Sequence, residues 1–200
     1  MPGSGVNLEK HCFEPYPEEI EGEPLILSVV GRIVKDKGID EILQAAQRLK
    51  GKNILIQLIG NCEEDYIDRI KKAEQNGVIR FVGRQQNVHE WMKNSHAILH
   101  ASYHEGMSNV LLEAAACGRP VIATNVSGCA DTFDEGISGI GFEARNTDAL
   151  VAAVERFLTL SHEQKEAMGL AGRRKMEASF DRNIVIEKYL RAIKAVLREA

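Results

Sequence analysis

Two hundred residues carry 25 Lys and Arg against 29 Asp and Glu, a formal net charge of −4. Hydrophobic residues make up 44%, charged residues 27% and aromatics 6%, proportions that exclude a disordered, collagenous or low-complexity chain. The mildly acidic balance removes the basic footprint of a nucleic-acid binder, so no nucleic-acid partner is expected. No run approaches the roughly 18 apolar residues of a membrane span, and the opening MPGSGVNLEK lacks the apolar centre of a secretory signal, so the chain reads as soluble.

The first 24 residues predict an irregular, extended lead-in. Pro2, Pro15, Pro17 and Pro24 interrupt any helix, and the stretch from Glu14 to Glu23 is acidic. From residue 25 to residue 200 the pattern is that of one domain. Short apolar runs at 25–31, 53–60, 78–83, 97–102 and 120–124 are rich in β-branched residues and end near Gly, Ser or Thr. Runs that are apolar on both faces read as strands buried inside a parallel sheet, with a weaker sixth strand near Ile140–Phe142.

Helical patterns lie between them. Ile39, Ile42, Leu43, Ala46 and Leu49 form one stripe over 39–50, and shorter helices follow at 66–75, 88–94 and 109–117. Three more are expected at 147–160, 163–178 and 182–199, with Ser161 and Gln164 as a capping box and Asp181 as a cap. This alternation predicts an α/β fold: a Rossmann-like, doubly wound parallel sheet closed by C-terminal helices. Ligands of such folds sit beyond the carboxyl ends of the strands, which directs attention to the loops that follow them.

The loop after the first strand reads G-R-I-V-K-D-K-G, with Arg32, Lys35 and Lys37 before a helix start. Cations beside a helix N-terminus suit a phosphate, because the guanidinium fork and the positive helix end both favour an anion. The same residues also read as solvated surface cations, and spacing alone leaves both readings open. Neither a G-x-x-x-x-G-K-[ST] loop nor a G-x-G-x-x-G fingerprint is present, which argues against a P-loop enzyme or a dinucleotide oxidoreductase.

After the fourth strand the chain runs S-Y-H-E-G-M-S-N-V-L-L-E-A-A-A-C-G-R-P-V-I-A-T. Ser108 or Asn109 can cap the helix, leaving backbone N–H groups around Met107 to Val110 directed outward, while Gly106 removes a side chain where a ligand would approach. Glu105 and Glu113 flank this helix start. Carboxylates only accept hydrogen bonds, so the pair suits a hydroxyl-rich ligand, although a capped helix with one exposed Glu gives the same pattern.

The E-x7-E arrangement of Glu105 and Glu113, followed by A-A-A-C-G-R-P-V-I-A-T, resembles retaining glycosyltransferases of family 4. G-R-I-V-K-D-K-G-I-D resembles their donor diphosphate loop, and the likeness extends through F-V-G-R at 81–84, S-G-C-A-D at 127–131 and the D-A-L-V-A-A-V helix. The opening P-G-S-G-V-N-L-E is similar to the link between the two domains of such enzymes, above all those of capsule and O-antigen synthesis.

The resemblance implies a GT-B architecture with the active site between two Rossmann-like domains. This chain would be the C-terminal, donor-binding one, with residues 1–24 as an interdomain linker remnant and an N-terminal acceptor-binding domain missing. It implies further that Arg32 and Lys37 neutralise the diphosphate of a nucleotide sugar, a UDP-sugar first, with backbone donors from Gly106, Met107, Ser108, Asn109 and Val110. Glu113 would accept from the ribose, Glu105 would position the transferred sugar, and Gly83 and Arg84 would lie near the base. Transfer would be retaining, without metal or other cofactor, to a polysaccharide or lipid-linked acceptor, in the bacterial cytoplasm or at the inner face of the membrane. The isolated domain is expected to be inactive in transfer.

Two departures stand out. Ala101 precedes Ser102 where the family often has Pro-Ser, and Gly128, Cys129, Ala130 and Asp131 replace the usual Gly-Cys-Arg-Glu. A nucleotide-binding module without turnover and a nucleotide-sugar epimerase of the same fold remain open alternatives.

The four cysteines, at 12, 62, 117 and 129, form no C-x-x-C pair and have no His at ligand spacing, so they read as reduced packing thiols. His96, His100 and His104 recur every four residues, but on a strand and loop that interval spreads them apart, so no metal site is expected there. Arg173, Arg174 and Lys175 offer a weak contact for anionic lipid, with a solvated helix end as the simpler reading.

Overall fold

The computed structural model describes residues 3, 5–75 and 77–199, so Pro2 and Ser4 of the opening motif lie outside the described residues. Six strands form the sheet: β1 (Leu25–Val30), β2 (Ile54–Ile59), β3 (Ile79–Gly83), β4 (Ala97–His100), β5 (Val121–Thr124) and β6 (Gly139–Phe142). All five pairings are parallel, and the spatial order is β3-β2-β1-β4-β5-β6. The helices are α1 (Ile39–Arg48), α2 (Glu64–Glu74), α3 (Val88–Lys93), α4 (Asn109–Ala116), α5 (Thr147–Leu158), α6 (His162–Lys175) and α7 (Arg182–Glu199). This is the expected Rossmann-like, doubly wound α/β fold.

The period of two along each strand builds two cores. Leu27 and Val29 of β1, Ala97 and Leu99 of β4 and Ile122 of β5 join the apolar residues of α1, α2 and α5 on one face. Their neighbours Val30, Ile98, Val121 and Ala123 join Met92 of α3, Leu111 and Ala114 of α4 and Cys117 just after it on the other. Strands buried on both faces explain why β4 and β5 read as unbroken apolar runs. Cys117 is a packing thiol, as its setting in the sequence suggested, and burial pushes its pKa up to about 12.

The C-terminal helices also follow the sequence closely. Ser161 and Gln164 close a capping box at α6, and Asp181 accepts from the Asn183 N–H at the start of α7. The pattern did not show a wide π turn over Met176–Phe180 between α6 and α7, whose Met176 and Phe180 side chains are buried.

Residues 5–24 carry no helix or regular strand, and they are bound closely to the domain. Val6 bridges Asp181, its N–H donating to Phe180 O at 2.8 Å and its carbonyl accepting from Arg182 N at 2.9 Å. Further on, the fully buried Arg119 donates through Nη2 to the carbonyls of Glu14 and Pro15, the latter at 2.6 Å. Lys165 pairs with Glu19 at 3.0 Å.

Candidate functional site

The strand order reverses between β1 and β4, because β1 leads outward to β2 and β4 leads the other way to β5. The loops leaving these two adjacent strands therefore diverge and open a crevice at the carboxyl edge, the place where doubly wound sheets hold ligands. They are the loops carrying the cations at 32–37 and the carboxylate at 105.

The β1 loop enters a single 3-10 turn, Lys35–Lys37, and closes at Gly38, whose φ of +69° is left-handed. A side chain at Gly38 is excluded for a second reason. Its Cβ would lie 2.2 Å from the Ala101 carbonyl of the β4 loop, so the two loops touch backbone to backbone. Tyr103 N donates to Asp36 O at 2.9 Å and Ser102 Oγ to the same oxygen at 3.4 Å, fixing the contact. Gly128 closes the crevice from the next loop: its carbonyl accepts from Ser108 N at 2.9 Å, and a Cβ there would meet Glu105 O at 2.5 Å.

This framework brings Lys37 and Glu105 together. Lys37 Nζ donates to Glu105 Oε1 at 2.5 Å and to Ser102 Oγ at 3.4 Å. His100, the last residue of β4, lies with Nε2 3.1 Å from the same carboxylate oxygen and 3.2 Å from Ser108 Oγ. An ionised carboxylate only accepts, so the His100 Nε2 carries the proton that Glu105 receives. Hydrogen bonding with His100, and then with Lys37, holds the Glu105 pKa down at about 2 against the opposing effect of burial. Glu105 is thus ionised at neutral pH, with a second oxygen left for a ligand hydroxyl.

Ser108 caps α4 by accepting from Leu111 N, so the helix start opens beside this cluster. Gly106 and Asn109 are exposed, and Met107 and Val110 are half-buried. Arg32 and Arg84 are exposed and form no ion pair or hydrogen bond among the described residues. Gly83, at the end of β3 with φ +75°, accepts from Gly60 N at 2.9 Å.

Glu113 stands elsewhere on α4. It lines a small cleft with Gly5, Val6, Asn7, His11, Asn109 and Arg182, its carboxylate 3.6 Å from His11 Nε2. Burial raises its pKa, with Lys10 and Arg182 pulling it down. Glu105 and Glu113 therefore flank the α4 start with different neighbours. Neither His11 nor Arg182 is legible as a neighbour of Glu113 in the sequence, because both reach it only through the fold of the lead-in and the π turn. His100 is legible in the sequence as the residue that ends a strand, but not as a partner of Glu105. In the structure His96 sits at the opposite edge of β4, accepting from Ile26 N at 2.9 Å.

The profile of the glycosyl transferases group 1 matches residues 14–175, most of the chain. The chain belongs to this family. Two curated relatives span nearly all of it. A capsular polysaccharide biosynthesis glycosyltransferase of Staphylococcus aureus, CapM, is 29% identical over 96% of this chain and 52% of its own length. An N,N'-diacetylbacillosaminyl-diphospho-undecaprenol α-1,3-N-acetylgalactosaminyltransferase of Campylobacter jejuni is 25% identical over 97% of this chain and 53% of its own length. The chain thus spans about half the length of these relatives.

Solved structures give the same fold. The C-terminal domain of a group 1 protein of Francisella tularensis, LpcC, superposes with a TM-score of 0.73 at 22% identity, covering 88% of this chain and 99% of that domain. The Anabaena protein Alr3699/HepE, solved with UDP-glucose, superposes at 0.80 with 16% identity, over 96% of this chain and 56% of its own. The fold is accordingly that of the C-terminal domain of a GT-B glycosyltransferase.

Among the described residues no helix is long and apolar enough to cross a membrane. Of the three cations at the end of α6, Arg173 donates to the carbonyls of His11 and Ala116 and pairs with Glu177 at 2.7 Å, while Lys175 pairs with Asp134 at 2.7 Å. Two of the three residues considered for lipid contact are thereby engaged within the domain.

Proposed function

We propose that this chain is the donor-binding domain of a retaining glycosyltransferase of family 4, taking a UDP-sugar and passing its sugar to a polysaccharide or lipid-linked acceptor. The observation that carries the reading is the Lys37–Glu105–His100 cluster at the switch point of the sheet, beside the open start of α4. Cleavage of the sugar–phosphate bond builds negative charge on the leaving diphosphate. Lys37, Arg32 and the positive end of α4 stabilise this charge without a metal, with backbone donors from the Gly106–Val110 segment other than Ser108, whose N–H is already given to Gly128 O. Glu105, kept ionised by His100 and Lys37, accepts from sugar hydroxyls and positions the sugar. Its role is not that of a nucleophile.

In this reading Glu113 accepts from the ribose, and Gly83 with Arg84 borders the base. Residues 25–200 form the donor domain, and residues 1–24 lead in from the acceptor-binding domain of a longer enzyme. That enzyme works in the bacterial cytoplasm, at the inner face of the membrane when its acceptor is lipid-linked. The relatives of capsule and glycan synthesis, each about twice as long, support both the acceptor class and the expectation that this chain binds donor without transferring sugar unaided.

Calorimetric titration with UDP, GDP and ADP, each with and without magnesium, tests the reading. UDP is expected to bind, with the same affinity whether or not magnesium is present. Failure of all three nucleotides to bind would overturn the donor assignment, and a strict magnesium requirement would overturn metal independence.

A further inference from the structure

A second group of reactive side chains lies where the lead-in crosses α3, outside the crevice. Cys12 Sγ, Glu14 Oε1 and His89 Nε2 form a triangle with edges of 3.5 Å (Sγ to Oε1), 3.6 Å (Sγ to Nε2) and 3.5 Å (Nε2 to Oε1). Zinc bonds of about 2.3 Å to sulfur, about 2.05 Å to nitrogen and about 2.1 Å to oxygen, set at the tetrahedral angle, require ligand–ligand edges of about 3.6, 3.6 and 3.4 Å. The three atoms already stand close to the spacing of one face of a zinc tetrahedron.

The surroundings hold these donors in place. The Glu14 and Pro15 carbonyls are clamped by the buried Arg119, and Glu14 N donates to Cys117 O at 3.2 Å, so the backbone carrying Cys12 and Glu14 is anchored. The other ring nitrogen of His89, Nδ1, lies 3.1 Å from the buried Cys117 Sγ. In the tautomer whose Nδ1–H donates to that sulfur, the Nε2 lone pair faces Cys12 and Glu14, as a ligating histidine requires. Behind His89, the buried His11 packs edge-on at 5.9 Å between ring centroids, and its Nδ1 has no partner among the described residues. Cys12 is exposed, giving an ion direct access. A thiolate, an imidazole and a carboxylate together suit zinc far better than magnesium or calcium.

We propose that Cys12, Glu14 and His89 bind a zinc-class divalent cation, with solvent in the fourth position, and that the ion braces the lead-in against α3. The site shares no ligand with the donor-binding set, to which it is joined through His11 between His89 and Glu113, and it does not depend on the function assigned there. Binding releases the Cys12 thiol proton to solvent, and the thiolate sulfur supplies the bonding pair.

The test uses the whole chain, with a non-chelating reductant present, and Zn²⁺ and Co²⁺ as probes. One zinc per chain is expected in chelator competition, together with a raised melting temperature. Cobalt should give a thiolate charge-transfer band and tetrahedral d–d absorption. Cys12→Ser, at an exposed position, and Glu14→Gln, at a half-buried one, should weaken zinc by more than about 100-fold, since even outer-sphere changes cost 10–100-fold. Both variants should retain the metal-free melting temperature, and Cys12→Ser should retain its response to UDP. Absence of one-to-one zinc binding would overturn the proposal. So would a cobalt thiolate band that survives Cys12→Ser but disappears in Cys117→Ser, which would place the ion among His11, His89 and Cys117 instead.

Discussion

Replacing Lys37 by Met separates phosphate recognition from every other contribution to nucleotide binding. The substitution keeps the length and apolar stem of the side chain and removes only its charge. In the free protein the Lys37 side chain is one-quarter exposed and its ammonium already pairs with Glu105, so a diphosphate must share it with that carboxylate. Two unit charges about 4 Å apart interact by about 4 kcal/mol at an effective dielectric constant near 20. Sharing with Glu105 and the cost of drying the group reduce this to the ordinary worth of a hydrogen bond to a charged group, about 1.5–3 kcal/mol. At about 1.4 kcal/mol per decade, the dissociation constant for UDP should rise roughly 10- to 150-fold. Uridine carries no phosphate, so its affinity should stay within about 2-fold by the same arithmetic. Calorimetry or competition against a fluorescent nucleotide reads both values. An unchanged UDP affinity would refute the diphosphate role of Lys37, and an equal loss for uridine would show that the variant disturbs the crevice as a whole.

Three further outcomes follow from the same geometry. The folded-state pKa of Glu105 lies near 2, below its ordinary 4.5, so its pairing stabilises the fold fully above about pH 4.5 and less as pH falls toward 2. Discounted for solvent screening, this amounts to about 1–2 kcal/mol, and urea melts of Glu105→Gln should accordingly show a flatter dependence between pH 5 and about 3 than the parent chain. Gly38→Ala should cost about 2–5 kcal/mol in chemical denaturation, because it adds a left-handed strain to a 2.2 Å collision with the Ala101 carbonyl. Arg119→Met leaves the Glu14 and Pro15 carbonyls without their buried donor and should cost about 2–4 kcal/mol, with faster proteolytic cleavage before residue 24 than in the parent chain.

The fold was legible because its strands are buried on both faces. Continuous apolar runs such as AILH and VIAT identify interior parallel strands without reference to a partner, and the helix stripes between them state which face they cover. Strand order was not legible in the same way. Nothing in the periodicity of β4 says that it lies beside β1 and not beside β3, and that single placement brings the loop of Lys37 to the loop of Glu105. Lys37, Glu105 and Ser108 could be named as candidates from local chemistry, since each sits at a strand end or helix cap. Their mutual contact, and the part of His100 in setting the charge of Glu105, exist only once the sheet is assembled.

The lead-in marks the other limit of local reading. Its prolines correctly forbid a helix, and an irregular, Pro-rich segment has no internal periodicity to reveal what it packs on. Its hold on the domain comes instead from residues more than a hundred positions away, Arg119 and Lys165, which reach the Glu14 and Pro15 carbonyls and the Glu19 carboxylate of this segment. The separation of 75 residues between Glu14 and His89 hides their pairing for the same reason. A cysteine judged by its sequence neighbours is a packing thiol. Cys12, judged by the imidazole and the carboxylate that the fold sets 3.6 and 3.5 Å from its sulfur, is a ligand.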